Sequence, residues 1–159
     1  MWASKLALQV YDEALVTELL QLLVASKADY TKAFRLLSTI PEHPSELQLS
    51  FYQPSSKELD QKWMAWLHRW NALIKTNDGH TQLSIAMQRI NPAITWREWL
   101  IAPAYQQAEQ GDNSHIVELQ HLFRTPYDTP PAETASRYDR LRPHQYFGAG
   151  GISHYSCSS

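Results

Sequence analysis

Between residues 59 and 73 the chain places Leu59, Trp63, Trp66, Trp70 and Leu73 at steps of three or four. That spacing puts all five side chains on one face of an α-helix. An indole carries roughly 150–250 Å² of surface that favours burial, so three of them on one face constrain everything around them. Either other helices wrap this stripe into a core, or Trp63, Trp66 and Trp70 form a partner-facing aromatic groove. The helical period is that of a packed helix, and the core reading is preferred.

The surrounding chain supplies helices that can do the wrapping. Asp12 is an N-cap candidate before Leu15, Val16, Leu19, Leu20, Leu22 and Leu23, which follow helical spacing. Asp29 opens a second helix with Tyr30, Ala33, Phe34 and Leu37 on one face, stopped by Pro41 and Pro44. The first two helices are expected to form an antiparallel hairpin. Ser55 followed by Glu58 has the form of a capping box, and it opens the tryptophan helix, which runs to about Lys75. After the turn signal Asn77-Asp78-Gly79 a shorter helix is expected from about Thr81 to Arg89, broken by Asn91-Pro92.

A further helix spans Thr95 to Gln110, with Gly111 as its C′ residue and a kink or restart at Pro103. Asp112 then caps a helix carrying Ile116, Leu119, Leu122 and Phe123, ended by Pro126. No segment alternates as a strand does. The expectation is an all-α fold: an irregular bundle of five to six helices over residues 1–127. Residues 128–159, with Pro130-Pro131, Arg142-Pro143 and Gly148-Ala149-Gly150-Gly151, read as an extended tail ending in Ser-Cys-Ser-Ser. Tyr138, Tyr146, Phe147 and Tyr155 could dock that tail onto a surface.

Composition excludes several functions. Fourteen basic and sixteen acidic residues give a net charge of −2 without a block of like charge, which argues against a nucleic-acid partner. The longest apolar run, around Leu19 to Ala25, falls far short of the ~20 residues that span a bilayer, so no membrane partner is expected. The N-terminus lacks the pattern of a secretory signal, and a cytoplasmic location is the default. A single cysteine, Cys157, allows neither an internal disulfide nor a cysteine-built zinc site.

Residues able to carry chemistry do not assemble into a motif. The seven histidines, His43, His68, His80, His115, His121, His144 and His154, match no metal pattern. The Gly148–Gly151 run lacks the strand and following helix of a phosphate loop. His154 lies three residues before Cys157 and could in principle lower its pKa. No catalytic, cofactor-binding or metal site is expected within these residues.

Several segments, taken in order, resemble the selenoprotein O (YdiU-like) family, kinase-fold (pseudokinase) enzymes that transfer AMP from ATP to protein hydroxyls. Met1-Trp2-Ala3-Ser4-Lys5-Leu6-Ala7-Leu8 is similar to the family's Met-x-x-Lys-Leu-Gly-Leu, with Ala7 in place of glycine. Asp29 to Ser38 resembles Asp-Tyr/Phe-Thr-x-x-Phe-Arg-x-Leu, and Met87 to Pro92 resembles Met-x-x-x-Asn-Pro. Arg97-Glu98 stands where the family has Arg-Asn; Ala108-Glu109-Gln110-Gly111-Asp112 and Pro126-Tyr127 match further motifs. Ser156-Cys157-Ser158-Ser159 is similar to the family terminus, where animal members carry selenocysteine.

The resemblance implies a C-terminal helical domain that buttresses a kinase-like N-terminal lobe of the same protein. That lobe would hold ATP and Mg²⁺, and protein Ser, Thr or Tyr side chains would be the substrates. No residue here matches the family's glycine-rich loop, phosphate-binding Lys and Arg, or metal-binding Asn and Asp. The chain is therefore expected to be inactive alone, a truncated or free-standing piece, with Cys157 as its redox position. The alternative is a stand-alone helical protein-interaction module built on the aromatic groove.

Overall fold

A computed structural model describes residues 1–74 and 79–147. Among them the fold is all-α, and the one β feature is an isolated antiparallel bridge between Ala28 and Phe51. In chain order the helices are α1 (Trp2–Lys5), α2 (Glu13–Ala25), α3 (Tyr30–Leu37), a 3-10 segment (Pro44–Ser50), α4 (Lys57–Ile74), α5 (Gly79–Gln88), α6 (Glu98–Glu109), α7 (Ser114–Leu122), α8 (Ala132–Tyr138) and a final 3-10 turn (His144–Tyr146). These outnumber the five to six expected, because α1, α8 and the 3-10 segments are too short to leave a periodic signal. The chain divides into two compact units, Met1–Ala93 and Ile94–Ser159.

In the first unit α4 is the central element. Trp63, Trp66, Trp70 and Leu67 are fully buried, and Ile74 nearly so. Leu73, expected on the stripe, is 53% exposed; the buried face drifts to Leu67 and Ile74 as a 3.6-residue period requires over five turns. Each indole N–H also has a partner. Trp63 donates to Ser26 Oγ at 2.7 Å, Trp66 to the Leu15 carbonyl at 2.9 Å and Trp70 to the Leu6 carbonyl at 2.9 Å. The rings pack on one another, Trp63 edge-on to Trp66 and Trp66 stacked on Trp70, with Phe51 stacked on Trp63. Burial of this size needs its polar atoms satisfied, and here they are. The partner-facing groove on Trp63, Trp66 and Trp70 thus gives way to the core.

The expected hairpin of the first two long helices is also corrected. Helix α2 packs along α4, burying Leu15, Val16, Leu19, Leu22 and Leu23, while α3 packs on the 3-10 segment. The reason lies between them: Lys27 has φ +47 and closes α2 with the paired bonds of a Schellman turn, Lys27 N–H to the Val24 carbonyl and Ala28 N–H to Leu23. Asp29 then donates its N–H to the Ser50 carbonyl at 2.7 Å, and Tyr52 N–H reaches the Lys27 carbonyl at 3.2 Å. These bonds steer the chain toward residues 50–52.

Caps decide the helix starts. Asp12 and Asp29 accept from the N–H groups of Leu15 and Lys32, each at 2.9 Å, as expected of both residues. For α4 the cap is Ser56, whose Oγ accepts from Leu59 N–H at 3.2 Å, one residue later than the Ser55 expected. An unanticipated N-terminal lock opens the 3-10 segment, where the Glu46 carboxylate accepts from the N–H groups of Glu42 and His43. Pro44, expected only to stop α3, supplies the first residue of this segment.

In the second unit α6 packs against α7. Trp99, Leu100, Ile101 and Ala104 from α6 are buried with Leu119 from α7 and Tyr138 from α8. Pro103 neither breaks nor restarts α6, which runs from Glu98 to Glu109. Proline there has no N–H to give the Trp99 carbonyl, and the helix runs on through it with one bond fewer. Gly111 (φ +88) ends α6 as a C′ residue: its N–H bonds the Ala108 carbonyl and Asp112 N–H bonds Gln107. Asp112 Oδ1 then accepts from Ser114 N–H at 2.9 Å at the start of α7. Residues 128–147, expected to be extended, contain α8, and Tyr138 is buried there. No helix among the described residues is long and apolar enough to cross a membrane.

Candidate functional site

Three segments of the first unit, far apart in sequence, bring charged and polar side chains into its apolar interior. Lys5 ends α1, Arg35 and Ser38 lie at the end of α3, and Asn91 follows α5. Asn91 is fully buried and uses its whole amide. Its Nδ2 donates to the Lys5 carbonyl at 2.8 Å and to Ser38 Oγ at 3.0 Å, and its Oδ1 accepts from Lys5 Nζ at 3.1 Å. The Ser38 hydroxyl itself donates to the Phe34 carbonyl at 2.9 Å. Arg35 Nη1 bridges the carbonyls of Gln88 (3.0 Å) and Asn91 (3.1 Å). Lys5 Nζ also lies over the Phe34 ring, 5.2 Å from its centroid. Burial pushes the Lys5 ammonium down from its ordinary value.

Local structure explains how Lys5 gets there. Helix α1 is one turn long and ends in a Schellman turn, with Ala7 at φ +52, Ala7 N–H bonded to the Ser4 carbonyl and Leu8 N–H to Ala3. Trp2, at its start, packs on Tyr30 and Phe34 at centroid distances of 6.3 and 6.0 Å. The turn therefore pins Lys5 and the Leu6 carbonyl over the core, the latter accepting from Trp70.

Chemically this cluster is a fastening. Its donors and acceptors meet one another, and no nucleophile, carboxylate pair or unfilled cation pocket is left among the named groups. Among the described residues no three of His, Cys, Asp and Glu converge as metal ligands. The histidines stay dispersed: His115 lies 6.2 Å from the Tyr138 ring, His144 5.4 Å from Phe147, and His43 opens the 3-10 segment. His154 and Cys157, and the Gly148–Gly151 run, lie outside the described residues.

Lys5, Arg35 and Asn91 come from three different segments of the sequence that resemble the family, and only the fold shows that Lys5 and Arg35 both meet Asn91. Ala108–Asp112 has an equally structural role, as the end of α6 and the start of α7. Pro126 accepts from Ile94 N–H at 3.3 Å.

Among the described residues, those of the family-like segments hold helices together. The comparisons give the family. The model of the family described as protein adenylyltransferase SelO matches residues 2–124, and this chain belongs to that family. It is 34% identical over 129 residues to the protein nucleotidyltransferase YdiU of Salmonella heidelberg (strain SL476), covering 79% of this chain and 26% of that protein. Against the protein of the same name from Xanthomonas axonopodis pv. citri (strain 306) it is 34% identical over 153 residues, 93% of this chain and 29% of the relative. The chain thus spans about a quarter of the length of the curated relatives it matches.

Proposed function

We propose that these residues form the helical support of a protein adenylyltransferase, packed in the whole protein against a kinase-like lobe formed by residues outside these 159. In that reading ATP and Mg²⁺ are held by the lobe, AMP passes to Ser, Thr or Tyr hydroxyls of protein substrates, and the chain alone is inactive. One observation carries the reading: Lys5, Arg35 and Asn91, the polar members of three family segments, make their bonds to one another and to backbone carbonyls. Residues committed in this way support a fold and leave phosphate binding to other parts of the protein.

A docking surface for the lobe is available on the first unit. Val10, Tyr11 and Leu73 are 80%, 52% and 53% exposed and line one open groove of about 510 Å³ with Leu8, Asp12 and Glu13. Adjacent large apolar side chains in water favour a covering partner, and the acidic rim suits a basic edge on it. Cys157 is assigned, by its match to the family terminus, as a thiol that pairs reversibly with a second cysteine outside this chain. The cell compartment consistent with this is the cytoplasm.

The test has two arms. Isothermal calorimetry of the chain with ATP and Mg²⁺ is expected to give no heat of binding, and tight binding would reject the support role. Co-expression with the N-terminal region of a selenoprotein O-like protein is expected to restore AMP transfer, and Leu73→Asp to reduce it while leaving the melting of the isolated chain unchanged. Failure of any such lobe to associate would leave the stand-alone interaction module as the better description.

A further inference from the structure

Residues 128–147 begin beyond the stretch that the family model matches, yet they lie on helices that belong to it. Tyr138 is their one buried side chain, at 4% exposure. The other attachments are at the surface. Arg137 grips Glu118 of α7 through two bonds of 2.7 and 3.1 Å, and the two side chains are 53% and 41% exposed. The Tyr138 hydroxyl lies against the same carboxylate. Arg140, itself exposed, sits over the Trp99 ring of α6 at 5.4 Å, and the Tyr146 ring lies 6.3 Å from that of Trp99. Beneath them Trp99 is only 6% exposed.

The backbone bonds that shape α8 and the final turn are local. Ala135 and Asp139 donate to the Pro131 and Ala135 carbonyls, and Tyr146 and Phe147 donate to those of Pro143 and His144. Arg142 packs over Phe147 and donates to the Tyr146 carbonyl. These bonds travel with the segment when it moves. An exposed ion pair contributes little and weakens as salt rises. Elements with few buried side chains also open at less cost than elements with many, and α6 alone buries Trp99, Leu100, Ile101 and Ala104. We infer that residues 128–147 are a strap over Trp99, latched to α7 by Glu118, which opens as a unit while α6 and α7 stay folded. Glu118 is the latch because its one carboxylate meets both Arg137 and Tyr138. Latched, the strap denies the Trp99 face of α6 to other molecules; open, it bares that face. The strap concerns the second unit alone and stands or falls separately from the support role.

Hydroxyl-radical footprinting of the full chain, with amide exchange followed by NMR, tests this. Oxidation of Trp99 is expected to rise about twofold between roughly 50 mM and 1 M salt, while Trp63, Trp66 and Trp70 stay protected. Glu118→Gln removes the charge and keeps an acceptor for Tyr138. It should raise Trp99 oxidation roughly two- to fivefold at low salt and flatten the salt dependence. Arg137 is exposed, so Arg137→Ala should fold normally and act to the same extent, and the two substitutions together should add little, since they break one latch. Arg137→Lys should fall between, because it keeps the charge and loses the planar fork. Arg69→Ala, which breaks the exposed pair with Glu18 in the first unit, should leave Trp99 unchanged. Amides of α6 and α7 should keep their protection throughout. The inference is overturned if Trp99 is oxidised no faster in Glu118→Gln and Arg137→Ala than in the unaltered chain, or if α6 and α7 lose protection together with it, which would mean that the whole unit unfolds.

Discussion

The two units solve the same problem, an all-helical fold, in different ways. In the first, apolar burial and polar satisfaction are interlocked: three indoles fill the centre, and each hydrogen-bonds a residue 37 to 64 positions away. The Lys5–Asn91 contact joins residues 86 apart. In the second, α6 and α7 form a thinner core around Trp99, Leu100, Ile101 and Leu119, and Trp96 stacks on Phe123 while 66% exposed. The difference teaches that hydrogen bonds between distant segments, set into an apolar centre, lock a small helical unit into one arrangement.

The contrast can be broken at its strongest point first. Trp66→Ala removes a fully buried indole and takes from the Leu15 carbonyl its second donor, and should destabilise the chain by about 4 kcal/mol or more in chemical denaturation. Leu119→Ala in the second unit should cost nearer 2 kcal/mol, at the low end for buried leucines, since its surroundings are half exposed. Equal losses at the two positions would mean that the cores do not differ as described.

Asn91→Ala probes the fastening directly. It leaves the Lys5 ammonium, the Lys5 carbonyl and the Ser38 hydroxyl each one partner short, and should cost about 2–3 kcal/mol. Asn91→Asp, which keeps an acceptor for Lys5 but loses both donated bonds, should recover only part of that. A loss under about 0.5 kcal/mol would show that the cluster is ornamental to stability.

A smaller effect of opposite sign is expected at the left-handed positions. Ala7 (φ +52) and Lys27 (φ +47) stand at C′ of α1 and α2, where a side chain is strained and glycine is preferred. Ala7→Gly should raise stability by up to about 1 kcal/mol, and Lys27→Gly by a similar amount, measured as a higher melting temperature. The family's glycine at the position of Ala7 has the same explanation.

The last effect vanishes at neutral pH. Burial, with the Glu118 carboxylate beside it, pushes the Tyr138 hydroxyl up to about 12 from an ordinary value of 10.0. A folded-state value above the unfolded one gives stability that is complete below pH 10 and is lost as the pH rises toward 12. Melting temperature should therefore fall across that window, and fall less in Tyr138→Phe; identical pH profiles for the two proteins would contradict the burial of that hydroxyl.

Much of this was legible in the chain itself. The starts at Asp12 and Asp29, the stop at Gly111 and the apolar faces of α2, α3 and α4 follow from short-range spacing and capping chemistry. Short elements were not legible, since four to seven residues carry too little periodicity. Nor were the left-handed turns at Ala7 and Lys27, because neither residue advertises positive φ as glycine does. Ser56 displaced Ser55 as a cap because two adjacent serines present the same signal, and packing of the helix selects between them.

What the sequence determined by itself was the class of fold, the family, and the need to bury the indoles. Periodicity, caps and motif order are properties of neighbouring residues and survive without any knowledge of the fold. Only the tertiary structure decided that the indoles face inward, that α2 pairs with α4, and that Lys5, Arg35 and Asn91 meet. Those are contacts between distant segments, set by which arrangement leaves the fewest buried polar groups without a partner.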